Sequence, residues 1–129
     1  MDVAKIISNY LEVVLHKYVA FGGRAGRPEF WYFMLVQVVI IIVLRVLNQI
    51  IGLPVTRSSV GLLDLIYSFA VLLPNLSLYV RRLHDVGGTG WYVLTLFVPI
   101  VGPIVLTVFW AQPGQQGDNK YGSPPSAIV

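Results

Sequence analysis

Over the first twenty-one residues, apolar positions recur at helical spacing: Val3, Ile6, Ile7, Tyr10, Leu11, Val14, Tyr18 and Phe21. Lys5, Ser8, Asn9, Glu12 and Lys17 fall largely on the other side. That division predicts an amphipathic helix over residues 1–21, lying in the plane of a membrane interface. Lys5, Glu12, His16 and Lys17 interrupt any signal-peptide core, and no small-residue cleavage site follows. A glycine-rich hinge, Gly22-Gly23-Arg24-Ala25-Gly26-Arg27, leads to Pro28, which suits the first turn of a helix. Glu29 then faces that helix's positive end. Phe30, Trp31, Tyr32 and Phe33 read as an aromatic band at a headgroup boundary.

From there the pattern changes to long apolar runs, which predict three transmembrane helices over residues 29–51, 60–80 and 91–111. In the first, Phe30 to Leu44 is uncharged and Arg45 follows. Arg45 lies roughly 24 Å along the helix from Glu29, near the far interface. The second span carries one acidic residue, Asp64, about one turn inside. A short connection after Gly52-Leu53-Pro54 makes the two spans a hairpin. Arg45 and Asp64 then reach similar depth and are expected to form an intramembrane ion pair. Pro74 should kink the second span and free a backbone carbonyl, and Asn75 should hydrogen-bond across the bundle there. The third run is broken by Pro99-Ile100-Val101-Gly102-Pro103. It fits a kinked span or a re-entrant hairpin turning at Gly102. The kinked span is favoured, because irregular backbone at depth needs protein or water around it. Residues 112–129 are polar and turn-rich, which predicts a loop and a frayed end.

Composition narrows the class further. Hydrophobic residues make up 56% of 129 residues and charged ones 12%, against about 25% charged in a soluble domain. The expected fold is therefore a single all-α integral membrane domain. There is no cysteine, which excludes disulfides, thiolate metal sites and cysteine nucleophiles. The net charge of +3 is small, so the basic residues read as topology signals and headgroup contacts, with no nucleic-acid partner. With three spans, Lys5, Lys17, Arg24, Arg27, Arg81 and Arg82 share one face, and Arg45, Arg57 and Lys120 belong to the other. That asymmetry puts the N-terminus in the cytoplasm.

Polar chemistry gathers around Arg81-Arg82-Leu83-His84-Asp85 and the following Gly87-Gly88-Thr89-Gly90-Trp91. Arg24, Arg27 and Glu29, and Asn119 and Tyr121 of the tail, are the candidates to join it. Four ordered motifs carry a resemblance: Phe21-Gly22-Gly23-Arg24 with Arg27, Glu29, Phe30 and Trp31; Arg81 to Asp85 with Gly90 and Trp91; Pro99 with Gly102; and Asn119, Tyr121 and Gly122. The chain resembles the small bacterial inner-membrane family catalogued as domain of unknown function 805, from about residue 15 to 125. Gly26, Pro28 and Thr89 depart mildly from that family's pattern. The resemblance implies a multi-span inner-membrane protein and supplies no reaction.

Three uses of the cluster compete. Glu29 and Asp85 can neutralise arginines and staple helix ends, since paired interfacial charges set geometry more than stability. Four arginines against two carboxylates leave positive charge over, and a guanidinium fork suits phosphate. A membrane interaction or scaffold protein that binds anionic phospholipid headgroups or a membrane protein partner through Arg24, Arg27, Glu29, Arg81, Arg82, His84, Asp85, Asn119 and Tyr121 is the favoured reading. The alternative is a small transporter or membrane-embedded enzyme using His84 and Asp85. Adjacent residues on a helix do not face each other, so that pair is not a ready dyad. No catalytic residue, metal site or cofactor is assigned.

Overall fold

The computed structural model describes residues 3–52 and 61–125. The connection after Gly52, with Arg57 and the expected start of the second span at residue 60, lies outside the described residues, as do residues 1, 2 and 126–129. The fold is all-helical: α1 (Val3–His16), α2 (Arg27–Ile51), α3 (Leu62–Ala70), α4 (Leu72–Asp85), a 3₁₀ segment (Gly90–Phe97) and α5 (Val101–Ala111).

The helix ends follow from local chemistry. α2 opens with Gly26 as its N-cap, Pro28 in the first turn and Glu29 beside the positive end. It closes on Gly52, whose φ of 78° is the left-handed cap, with its N–H on the Asn48 carbonyl at 2.8 Å. At the start of α3, the Asp64 carboxylate accepts the Gly61 N–H at 3.3 Å. α3 and α4 meet at Val71 with a bend of 50°. The bend falls three residues before Pro74, because a proline is tolerated in the first turn of the helix that follows a break. Pro74 has no N–H to give the Ala70 carbonyl, and the Tyr18 hydroxyl donates to that carbonyl in its place. Asn75 reaches across the bundle, donating to Gln37 Oε1 at 2.8 Å.

α1 ends five residues earlier than expected and has three faces. Ile6, Asn9, Tyr10 and Val13 are buried against the bundle. Val3, Ile7, Leu11 and Leu15 form an exposed apolar face, and Lys5, Ser8, Glu12 and His16 an exposed polar one. Each occupies about a third of the circumference at ~100° per residue.

The third apolar run corrects the expectation of a kinked span. It folds back on itself as a helical hairpin. The 3₁₀ segment leaves the end of α4 through Gly87 and Gly88, and α5 returns so that the Trp110 and Gln112 carbonyls meet Arg82 of that same helix end. A continuous span would carry these two ends to opposite ends of the bundle. The turn lies at Pro99 and Ile100, ahead of the expected Gly102. Ile100 has φ 68° and ψ −57°, and the Val101 N–H bonds the Pro99 carbonyl at 2.7 Å, a γ-turn. Gly102 permits the closure, since a Cβ there would overlap the Thr95 carbonyl. In a 3₁₀ helix residues three apart align. Val93 and Leu96 accordingly pack on the core, while Trp91, Leu94 and Phe97 are exposed.

The core is confined to one end of the bundle: Tyr10, Val13, Phe30, Phe33, Leu78, Leu83, Leu106 and Trp110. Half of the expected aromatic band belongs to it. Phe30 and Phe33 are buried, and Phe30 lies 5.0 Å from Trp110, ring to ring. Toward its C-terminal end α2 is exposed apolar surface, through Val38, Val39, Ile42, Val43, Val46 and Ile50. Among the described residues α2 is the one helix long and apolar enough to cross a membrane alone, and α3 with α4 makes a second, bent candidate.

A β-branched residue at positive φ costs about 1–3 kcal/mol, and Ile100 is largely exposed. Ile100→Gly is therefore expected to raise the thermal unfolding midpoint in detergent, and Gly102→Val to lower it. A lower midpoint for the glycine variant would show that the turn is unstrained.

Candidate functional site: a buried arginine cluster

The last turn of α4, the hinge before α2 and the segment after α5 converge on Asp85. Its carboxylate takes Arg24 Nε on Oδ1 at 2.9 Å and Arg82 Nη1 on Oδ2 at 2.5 Å. Arg82 and Asp85 lie three apart on one helix and so share a face. The hinge is held alongside by the Ala25 N–H on the Arg81 carbonyl at 3.0 Å. All three side chains are nearly inaccessible, Arg82 at 0%.

Each guanidinium then turns its remaining donors onto main-chain carbonyls. Arg24 reaches Gly117 O at 2.7 Å, Gly122 O at 3.3 Å and Gln115 O. Arg82 reaches Trp110 O at 2.9 Å, Ala25 O at 3.2 Å and Gln112 O. The Gln115 N–H returns to the Asp85 carbonyl at 2.8 Å. Gly114 packs against the carboxylate so closely that a Cβ would overlap it.

Residues 112–125 are therefore no frayed end. Their carbonyls have no helix or sheet to satisfy, so buried guanidiniums can claim them. Asn119 Nδ2 donates to the His84 carbonyl at 3.0 Å, and the Tyr121 ring stacks on His84 at 3.9 Å with a 4° tilt.

Glu29 anchors a second pair. Arg81 Nη1 lies 2.5 Å from Glu29 Oε2, and Lys17 Nζ lies 3.5 Å from the same oxygen. Asn9 donates to the Glu29 carbonyl at 3.0 Å. Among the described residues, Arg81 Nε and Nη2 are buried with no acceptor, as is Trp110 Nε1. Arg27, the first residue of α2, is exposed and outside both pairs.

His84 and Asp85 do not work on each other. Asp85 is occupied by arginines, and His84 Nδ1 lies 2.9 Å from the Gly23 carbonyl. Among the described residues no group of three or more His, Asp or Glu side chains gathers as a metal site. Arg45 and Asp64 stand far along the bundle, with Arg45 Nε 3.5 Å from Asp64 Oδ2 and the arginine half exposed.

The partners that sequence reasoning missed are mostly main-chain carbonyls, which carry no residue-type signal. Gly114 could have been found from its position in a polar tail already suspected of meeting the cluster.

Arg24, Glu29, Arg81, Arg82, His84, Asp85, Asn119 and Tyr121, brought together here, all belong to the ordered motifs. The family model described as protein of unknown function (DUF805) matches residues 18–123. The chain belongs to the DUF805 family. Among its relatives, the inner membrane protein YhaI of Escherichia coli K12 is 40% identical over 112 residues, covering 87% of this chain and 91% of YhaI. The inner membrane protein YhaH of the same strain is 38% identical over 116 residues, covering 90% and 94%. No solved structure matches. In this DUF805 chain the conspicuous Arg-Arg-Leu-His-Asp run is thus a buried structural centre, with His84 and Arg27 left at its rim.

Removing one partner of a buried ion pair costs about 3–5 kcal/mol. Asp85→Asn should therefore loosen the tail, and trypsin cleavage after Lys120 in detergent should accelerate at least about tenfold. An unchanged cleavage rate would mean that the tail is held without the carboxylate.

Proposed function

We propose that the chain is a non-enzymatic interaction protein of the bacterial inner membrane whose cluster end lies at the cytoplasmic face and engages anionic lipid headgroups. In this reading α2 and the bent α3–α4 pair cross the bilayer, and the 3₁₀–α5 hairpin enters and leaves on the cytoplasmic side. α1 lies in the interface, its exposed apolar face toward lipid and its polar face toward water.

Several findings support the placement. The relatives are inner membrane proteins, and the exterior of α2 is apolar. With the hairpin, Lys120 joins Lys5, Lys17, Arg24, Arg27, Arg81 and Arg82 at the cluster end. Among the described residues Arg45 remains for the other end, an asymmetry that supports the cytoplasmic assignment.

The observation that carries the headgroup reading is an excess of donors. Among the described residues, two carboxylates face three buried arginines, Arg81 keeps two nitrogens without an acceptor, and Arg27 is exposed at the rim. A basic residue near an anionic leaflet contributes about 1 kcal/mol, or roughly fivefold in association. Reconstituted protein should therefore select spin-labelled phosphatidylglycerol over phosphatidylcholine in its lipid annulus. Arg27→Gln should reduce that preference by up to about fivefold, and added salt should weaken it in the wild type. Equal association of the two lipids with the wild type would exclude a headgroup role.

The absence of cysteine from the sequence makes the orientation directly testable. Ser123→Cys should react with an impermeant maleimide in inverted vesicles and not in intact spheroplasts, and the reverse pattern would overturn the placement.

A further inference from the structure

Two cavities lie outside the ion pairs and share walls. The upper, of about 440 Å³, is bounded by Phe21, His84, Thr89 and Trp91 and reaches Val93 and Leu94. The lower, of about 590 Å³, includes Val93 and Leu94 and passes Tyr79 and Asn75 toward Gln37 and Phe97. Most of its wall is aliphatic or aromatic, and several of its polar groups are already engaged: Asn75 Nδ2 donates to Gln37 Oε1 at 2.8 Å, the Tyr79 hydroxyl donates to Asn75 Oδ1 at 3.1 Å, and the Tyr67 hydroxyl pairs with that of Tyr10 at 2.6 Å. The lower cavity therefore suits an apolar occupant.

The upper cavity has a different chemistry. His84 Nδ1 faces the Gly23 carbonyl at 2.9 Å, and a carbonyl only accepts, so Nδ1 carries the hydrogen. In the neutral ring Nε2 is then a lone-pair acceptor. It points toward Gly90, where a Cβ would stand 3.6 Å from it, and Gly90 and His84 both line the cavity. Thr89 adds a hydroxyl to the same wall. Phe21 and Trp91 are exposed aromatics at that mouth, the residues expected at the headgroup level.

We propose that the two cavities together hold one bilayer phospholipid with a hydroxyl-bearing anionic headgroup, of the phosphatidylglycerol type. One acyl chain lies along the 3₁₀ segment, the headgroup hydroxyl donates to His84 Nε2, and the Thr89 hydroxyl donates to a phosphate oxygen. Length fits this occupant. Eight 3₁₀ residues rise about 16 Å, close to half of the ~30 Å hydrocarbon thickness that one leaflet supplies. The acceptor at His84 selects for a headgroup donor, which choline lacks. The positive surplus of the neighbouring cluster favours an anionic lipid over one ending in an ammonium group. The site needs the bilayer placement proposed above and is independent of the annular contacts of Arg27.

The test is native mass spectrometry of protein released from nanodiscs of equal phosphatidylglycerol and phosphatidylcholine. The wild type should retain one phosphatidylglycerol and no phosphatidylcholine. Thr89→Val removes the hydroxyl at constant volume, and Leu94→Trp fills the shared wall. Thr89→Val should lower retention at least about fivefold, the equivalent of one hydrogen bond of about 1 kcal/mol, and Leu94→Trp should lower it by occupying the space of the acyl chain. Arg27→Gln should retain the lipid as the wild type does, which separates this site from the annulus. Thr89→Val reads the head end even if the tryptophan variant does not fold. No retained lipid, equal retention of both lipids, or undiminished retention in Thr89→Val would overturn the proposal.

Discussion

One carboxylate shared between two buried guanidiniums sets the shape of this protein. Asp85 is held by Arg24 from the hinge before α2 and by Arg82 from its own helix. Buried charges cost several kcal/mol each unless paired and fully hydrogen-bonded. Two bonds to Asp85 leave most guanidinium N–H groups unsatisfied, and carbonyls of the hinge, of the last turn of α5 and of the chain after it accept from them. The ion pair thereby recruits the C-terminal segment and with it the returning arm of the hairpin. Glycine at position 114 belongs to the same arrangement, since any side chain there would displace the carboxylate.

The consequence is a bundle closed at one end and open at the other. Near the cluster, aromatic rings from α1, α2, α4 and α5 pack together. Farther along, among the described residues, α2 meets α3 through Asn48, which accepts the Leu63 N–H, and through Arg45 beside Asp64. The break at Val71 also belongs to this geometry. It turns α3 away from the line of α4, and the Tyr18 hydroxyl satisfies the carbonyl that Pro74 leaves free. A cavity opens beside the break, bounded by α2, α3, α4 and the 3₁₀ segment.

His84 and Asp85 are neighbours in sequence and have unrelated partners. Side chains one residue apart on a helix diverge by about 100°. Asp85 consequently points inward to arginines while His84 lies at the rim, stacked on Tyr121. A reading that takes the pair as a catalytic dyad needs a geometry the helix does not provide.

Much of this was legible from residue order alone. The limits of α2 follow from Gly26, Pro28 and Gly52, because caps act within one turn. The bent second element follows from Pro74, and the family from four spaced motifs. Residue type also singled out the charged members of the cluster, since so apolar a chain has few places for charge. The fate of the third apolar run and of the tail was decided only in three dimensions. Pro99, Gly102 and Pro103 are compatible with a kink or with a reversal. What selects the reversal is Arg82 meeting carbonyls at 110 and 112, and carbonyls are identical in every residue. A segment without periodicity likewise reads as frayed until a buried cation claims its backbone. Sequence thus determined which groups are costly to bury, and the tertiary structure decided which main-chain acceptors satisfy them.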